Sequence, residues 1–385
     1  RGVKMAAKIY FDKDITKDEL KPHEVALLAG LPKAPGSYNP YLHPKKAKDR
    51  RDTILDIMEE NGLITKEENK KYQKMGLGVD KKYLSKYKKH NQYAAYLDMV
   101  IEEAAERYGM DEQDLTSGYK IYTGMIPAAQ KTLENTLKND YLLKAHPGLD
   151  AGATILDPKT GEIVAVGGGR SYLSGYLNRA LLPKQPGSSI KPISVYAPAV
   201  EEKGYTEYTP VLDAPITVNG WSPQNYSRSY SGWVPLRTVA ARSLNAATVR
   251  LLHEVVGVET GAEYAQKMGL PLKKEDRYLA PLALGGLTEG VNTVQMAGAY
   301  SAFANDGKII EPHTIRKIED WDGDEVKPKK EPEERQVFSP QTARVMTKIL
   351  KGVVEGGTGW NARIPGWEVA GKTGTTQNYK EAWFV

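Results

Sequence analysis

Gln185-Pro186-Gly187-Ser188-Ser189-Ile190-Lys191-Pro192 is the stretch on which the reading of this chain turns. Pro186 and Gly187 mark a sharp turn into a helix, and Pro192 is still tolerated in that helix's first turn. Ser188 and Lys191 stand at i and i+3, so a helix puts both side chains on one face. A serine hydroxyl near its free pKa is a poor nucleophile and needs an adjacent base. Lysine can be that base where burial or a cationic neighbour brings its pKa towards neutrality. Ser189 is the competing hydroxyl, but it lies two residues from Lys191 and faces elsewhere. A lone Ser-x-x-Lys is common and decides nothing by itself.

Two more patterns follow in order. Ser243-Leu244-Asn245 precedes the apolar run at 246–252 and offers a second hydroxyl and an amide to the same cleft. Taken singly, a helix-capping Ser or Asn explains it equally well. Lys372-Thr373-Gly374-Thr375 closes a short apolar strand. There Gly374 removes a side chain where a substrate backbone could approach. Lys372 and the threonine hydroxyls can make charge-assisted bonds to a carboxylate. Taken singly, this is a turn with a surface lysine. The ordered trio is far more specific than any member of it. One rival uses the same residues: Gly366 to Thr373 fits the P-loop pattern GxxxxGK[ST]. A P-loop needs a strand before Gly366 and a helix opening at Lys372-Thr373, whose N-terminus takes phosphate. Pro365 before and an aromatic run after argue against that context.

Working outward, residues 153–156 and 163–166 are apolar runs around Asp157-Pro158-Lys159-Thr160-Gly161, a strand-turn-strand signal. Helices and loops follow, with Pro198 expected to kink or shorten the helix that carries Ser188. A β-like tail at 367–370 and 382–385 closes the region. Strands at both ends with helices between them predict an α+β fold, an antiparallel sheet flanked by helices. Upstream, residues 1–75 read as helical, with an amphipathic helix from Ala47 to about Asn61, a stop at Gly62 and a capping box at Thr65-x-x-Glu68. Residues 92–107 and 128–137 favour helices and 119–123 a strand. The expected division is 1–85, a linker module at 86–148, and 149–385.

At 385 residues, two fifths of them hydrophobic, the chain suits two or three domains with sizeable cores. With no cysteine, it has neither disulfides nor Cys-ligated metals. No run of 18 or more apolar residues marks a transmembrane helix. The chain opens at Arg1-Gly2-Val3 in mid-pattern, without initiator Met or leader, and is expected to be a piece of a longer one. Residues 1–90 carry 21 Lys/Arg against 13 Asp/Glu. The clusters Lys45, Lys46, Lys48, Arg50, Arg51 and Lys81, Lys82, Lys86, Lys88, Lys89 suit an anionic membrane surface or a pyrophosphate. Solvated helix faces explain them equally well. No nucleic-acid recognition motif accompanies the charge.

The three motifs, in that order, resemble the transpeptidase site of class A (bifunctional) penicillin-binding proteins, and the resemblance covers essentially the whole chain. Asn178-Arg179-Ala180, Asp213-Ala214-Pro215-Ile216, Pro223-Gln224-Asn225-Tyr226, Ala283-Leu284-Gly285-Gly286 and Glu381-Ala382-Trp383-Phe384-Val385 are similar to stretches of that family. Arg1-Gly2-Val3 and Leu28-Ala29-Gly30-Leu31-Pro32-Lys33-Ala34-Pro35 resemble the end of a family-51 glycosyltransferase domain. Lys184 stands where Arg is usual.

The resemblance implies the C-terminal part of that glycosyltransferase domain at 1–85 and a C-terminally truncated penicillin-binding transpeptidase domain at 149–385. It implies that Ser188 attacks the penultimate D-Ala of a stem peptide, with Lys191 as general base and Ser243 relaying a proton to the leaving amine. Asn245 would bind the peptide backbone. Lys372, Thr373 and Thr375 would hold the terminal carboxylate, with Gly374 also part of the substrate-binding set and Lys372 also tuning Ser243. The backbone N–H groups of Ser188 and Thr375 would form the oxyanion hole. Implied partners are D-Ala-D-Ala stem peptides and β-lactams, with lipid II for the intact parent, and no metal, cofactor or nucleic acid. The implied location is the outer face of the bacterial cytoplasmic membrane, with the anchor outside this stretch. The glycosyltransferase's catalytic glutamates would precede Arg1, so glycan polymerisation is not expected of this stretch. Rival readings are a β-lactamase or β-lactam sensor, for which no deacylating base is evident, and a catalytically incompetent fragment.

Overall fold

The computed structural model describes residues 3–83, 93–111, 114–116, 118–139, 149–376 and 380–385. The chain forms two compact units, residues 1–94 with 172–177, and residues 95–171 with 178–385.

The first unit is helical: α1 (Val3–Phe11), α2 (Pro22–Gly30), α3 (Pro44–Glu60) and α4 (Lys66–Gln73). Its core joins Ala7, Ile9 and Phe11 of α1 to Leu27 and Leu28 of α2 and Ala47 of α3. The capping box forms, with Glu68 N–H donating to Thr65 Oγ1 at 3.2 Å and Thr65 N–H to Glu68 Oε2 at 2.8 Å. The basic cluster on α3 does not present one cationic face. Arg51 is fully buried, and its guanidinium donates to the carbonyls of Gln73, Met75 and Gly76 where α4 ends. Gln73 O is at the last turn of α4, where carbonyls lack partners in the helix, and Met75 and Gly76 directly follow it, so the arginine closes off the helix end. Lys48 pairs with Asp52 and Lys82 with Asp80. Lys86, Lys88 and Lys89 lie outside the described residues.

The second unit is α+β, as the sequence predicts. It begins with α5 (Ala94–Glu103), β1 (Lys120–Thr123) and α6 (Pro127–Lys138). The expected hairpin is β2 (Ala153–Leu156) paired antiparallel with β3 (Ile163–Gly167). Every residue of β3 is buried. Gln130 of α6 clamps its edge by donating to Val166 O at 2.8 Å and accepting Val166 N–H at 2.7 Å.

Next come α7 (Ala197–Lys203), β4 (Pro210–Asp213), β5 (Gly232–Pro235), α8 (Leu236–Ala241), α9 (Asn245–Arg250), α10 (Val258–Lys267), α11 (Leu279–Leu284) and α12 (Thr293–Ala304). β6 (Lys308–Ile310), β7 (Ile315–Glu319), β8 (Glu325–Val326), β9 (Glu334–Gln336), α13 (Pro340–Gly356), β10 (Thr373–Thr375) and β11 (Ala382–Phe384) complete the unit. Among the described residues the strands form separate antiparallel groups, β1-β7-β8, β2-β3, β4-β5, β6-β9 and β10-β11, rather than one sheet. The main core is helical, built around Ile193, Tyr196, Val249, Met296, Phe303 and Met346.

Two expectations change. Pro198 does not end its helix, which runs on to Lys203. The preceding segment Pro192–Tyr196 is a widened turn, with Ala197 N–H reaching back to Pro192 O. That extra residue per turn accommodates a ring that would press on the carbonyl four positions back. The β-like run at 367–370 is not a strand, and Trp367 is 77% exposed. The ladder to β11 starts only at Lys372, whose N–H and C=O both pair with Val385. An apolar alternation without a neighbouring strand has nothing to pair with.

Candidate active site

Ser188 opens the site. Gly187–Ile190 is a tight 3₁₀ turn closed by Lys191 N–H donating to Ser188 O. In this geometry residues i and i+3 eclipse, so Ser188 and Lys191 share a face more strictly than on an α-helix. Ser188 is half-buried, while Ser189 is buried with its hydroxyl donating to Pro186 O at 2.7 Å. The competing hydroxyl is spent on the turn. Tyr300 Oη donates to Ser189 O and Trp383 Nε1 to Gln185 O, which brace the turn from α12 and β11.

Lys191 is fully buried. Its Nζ donates to Ser243 O at 2.9 Å and Asn245 Oδ1 at 2.7 Å and stands 3.5 Å from Ser243 Oγ. Burial, and secondarily the charge of Lys372, hold its pKa well below the ordinary lysine range. A neutral amine has two N–H bonds, and the two carbonyl-type acceptors use both. The lone pair is left for a hydroxyl proton. Among the described residues the Ser188 hydroxyl has no hydrogen-bond partner, so the resting site holds the amine ready without engaging the serine.

Ser243 follows the end of α8 in the left-handed region, φ 55°. Its N–H reaches Ala240 O and the next N–H, of Leu244, reaches Val239 O. Those two bonds form a Schellman motif, whose left-handed position glycine usually fills. A side chain there costs about 1–2 kcal/mol. Here the serine puts its hydroxyl between two lysines, because Lys372 Nζ donates to Ser243 Oγ at 2.9 Å. Lys372 is fully buried and its remaining bond is to Thr373 O at 3.0 Å. Burial lowers its pKa to about 7. It faces Ser243, and the alternative of a turn with a surface lysine does not hold.

Asn245 opens α9, but its side chain does not cap that helix. Its Nδ2 donates to Gln224 O at 2.8 Å while Oδ1 takes Lys191. The cap comes from elsewhere: Asn225 Oδ1 accepts the N–H groups of Asn245 at 2.7 Å and Ala246 at 3.1 Å.

β10 completes the site. Residues 372/385 and 376/381 are hydrogen-bonded pairs across to β11. Antiparallel alternation then makes 374/383 another such pair and 375/382 a non-bonded one. Thr375 N–H therefore points away from β11, on the edge where Thr375 lies against Gly187. Thr375 is exposed, and the Thr373 hydroxyl bonds that of Thr358 at 2.6 Å. Gly374 has a different reason from the one its sequence suggests. A Cβ there would lie 2.2 Å from Pro186 O, so the space is filled by the chain's own turn rather than left for a substrate. Gly285 lies as close on the other side, with φ 78° and its virtual Cβ 2.1 Å from Gly187 O. Gly285→Ala should therefore displace Ser188 and slow its acylation by about 10–100-fold. The check is the rate of β-lactam adduct formation, and an unchanged rate would refute it.

Ser188, Asn245 and Thr375 line one cleft of about 770 Å³, together with Trp221, Leu284 and Glu381. Lys191 and Lys372 lie buried behind it. Asp213 and Asn225 lie in two of the family-like stretches, but neither their role nor that of Trp221 is legible there, because their link to the site is a tertiary contact without any local spacing to announce it. The P-loop context is absent: Lys372-Thr373 leads into a strand, and no strand precedes Gly366. Among the described residues no cluster of His, Cys, Asp or Glu could hold a metal ion.

With this geometry in view, residues 151–385 match the family model of the penicillin binding protein transpeptidase domain. The chain belongs to that family. Residues 1–59 match the transglycosylase model, and the two matches in one chain are the pattern of class A penicillin-binding proteins. Penicillin-binding protein 1F of Bacillus subtilis is 38% identical over 395 residues, covering 100% of this chain and 53% of that protein. Penicillin-binding protein 1A of Clostridium acetobutylicum is 36% identical, covering 100% of this chain and 52% of its own length. The chain thus spans about half the length of these relatives. The fold is shared with the crystal structure of penicillin-binding protein 1A from Haemophilus influenzae, at TM-score 0.63 and 24% identity, covering 100% of this chain and 76% of that one. Among the described residues no helix is long and apolar enough to cross a membrane.

Proposed function

We propose that this penicillin-binding protein is a serine-type D,D-transpeptidase that cross-links peptidoglycan stem peptides and is acylated by β-lactams at Ser188. One observation carries the reading: Ser243 Oγ bridges two buried lysines of lowered pKa, directly behind the turn that bears Ser188.

Ser188 Oγ attacks the carbonyl carbon of the penultimate D-Ala, and its proton moves to neutral Lys191 Nζ. The developing oxyanion is met by the N–H groups of Ser188 and Thr375, which is where preorganised donors act most strongly. As the C–N bond breaks, Ser243 passes a proton to the departing D-Ala amine and is replenished from the Lys191 side. Lys372, hydrogen-bonded to the same hydroxyl, tunes it, while Thr373 and Thr375 hold the terminal carboxylate. Asn245 aligns the peptide backbone. The amine of a second stem peptide then attacks the ester, loses a proton to the site and releases Ser188.

The same reading makes residues 1–85 the end of a glycosyltransferase domain, 86–148 a linker module and 149–385 the transpeptidase domain. The parent uses lipid II and is anchored at the outer face of the cytoplasmic membrane.

Intact-mass spectrometry after incubation with benzylpenicillin tests the proposal. A stable one-to-one adduct is expected, mapping to the peptide that contains Ser188. Rapid hydrolysis of the drug without a lasting adduct would favour the β-lactamase reading, and no reaction by folded protein would sink the proposal.

A further inference from the structure

Asp213 is fully buried at the end of β4 and, among the described residues, makes no ion pair. Its carboxylate spends its oxygens on Asn225 Nδ2, at 2.9 and 3.0 Å, and on Ser231 N–H at 2.8 Å. Asn225 is also buried, and Nδ2 gives a further bond to Ser229 O at 2.9 Å. Its Oδ1 is then free to accept only the N–H groups of Asn245 and Ala246. The amide has one workable orientation. Turned over, it would set an oxygen against a carboxylate and N–H groups against N–H groups.

The loop between β4 and β5 that Asn225 belongs to reaches the cleft at two more points. Gln224 O accepts Asn245 Nδ2 at 2.8 Å, and Trp221, locked by paired bonds with Val218, lines the cavity. Asn245 is gripped on its backbone by Asn225, on its Nδ2 by Gln224 and on its Oδ1 by Lys191.

We propose that Asp213 and Asn225 are positioning residues: the buried carboxylate fixes the Asn225 amide, which sets Asn245 and, through it, the Lys191 amine. The proposal rests on Ser188 acylation as the reaction. Neither side chain touches the reacting atoms. Both act through the start of α9, a place where a displacement of about 1 Å is worth as much as 100-fold in rate.

The test is the second-order rate of benzylpenicillin acylation of the full chain as Asp213→Asn, Asn225→Asp and the swapped pair carrying both changes. Asp213→Asn lets two amides compete for one set of partners, and Asn225→Asp places two carboxylates face to face. Each should slow acylation about 10–100-fold. The swap restores the complement, since Asn at 213 donates to Asp at 225 while its oxygen keeps Ser231 N–H. The bond to Ser229 O becomes an oxygen–oxygen contact, so the swapped pair should acylate at least about 3-fold faster than either single variant while staying below the parent. A cycle with Asn245→Ala separates positioning from bulk stability. Asn225→Asp should cost little more once Asn245 is gone, whereas a merely structural role would cost the same in both backgrounds. Single variants that acylate like the parent overturn the proposal. So does a swapped pair that neither folds nor acylates better than the singles, and so do additive losses in the cycle. If the parent chain itself does not acylate, it is the proposed reaction that fails.

Discussion

Ser188→Ala should leave no covalent adduct with benzylpenicillin, and Lys191→Met should slow adduct formation by about 10²–10⁴-fold in a protein that still folds. No neighbouring hydroxyl can stand in for the nucleophile. Ser189 is buried and bonded to Pro186 O, and Ser243 Oγ is held by Lys372. Methionine is unbranched and one atom shorter than lysine, so it occupies most of the buried slot without the amine. The pH dependence of stability gives an independent readout. Burial holds the Lys372 pKa at about 7, and burial plus Lys372 hold Lys191 well below 10.5. Between those folded values and the ordinary value, the folded chain binds fewer protons than the unfolded chain. Unfolding free energy therefore climbs with pH across that window, by up to about 1.4 kcal/mol per unit for each lysine, and for Lys372 the gain is lost as pH falls through about 7. Lys191→Met removes one of the two contributions. Urea unfolding should show a smaller rise from pH 7 to pH 9 in the variant, by up to about 3 kcal/mol. Equal rises would mean Lys191 is charged in the fold and cannot serve as the base.

Those two lysines also show how far sequence carries. The pairing of Ser188 with Lys191 is legible because it is local: a three-residue spacing survives whether the turn is α or 3₁₀. The β2-β3 hairpin and the Thr65/Glu68 capping box are legible for the same reason, since each is a short-range pattern with a physical cause. Lys372 is another matter. Nothing near it in sequence says that it is buried, and its partner Ser243 lies 129 residues away. Gly374 was expected to make room for a substrate, and only the tertiary packing of β10 on Pro186 gives the real reason. Arg51 sits in a run of cations that reads as a charged surface, yet three carbonyls at the end of α4 draw it inside. Asp213 and Asn225 are 12 residues apart across a loop, with no period to connect them. The strand expected at 367–370 failed because β-pattern needs a partner, and pairing is a property of the fold rather than of the segment.

Ser243 should separate stability from chemistry. Ser243→Gly relieves the left-handed backbone, whereas Ser243→Ala keeps a Cβ at φ 55°. Both remove the hydroxyl and leave Lys372 with only Thr373 O, so that loss is common to the two variants. Their difference isolates the backbone term, and the glycine variant should be the more stable by about 1 kcal/mol in thermal or urea unfolding. Acylation should fall by about 100-fold in both, because the proton path between Lys191, Ser243 and the leaving amine is broken either way. A glycine variant that acylates at nearly the parent rate would take Ser243 out of the proton path and leave Lys191 to act alone. A glycine variant no more stable than alanine would mean the surrounding turn, not the residue, sets the left-handed geometry. If both expectations hold, the helix end at Ala241 keeps a conformation that glycine would satisfy better, and keeps it because only a hydroxyl there can join the two buried lysines.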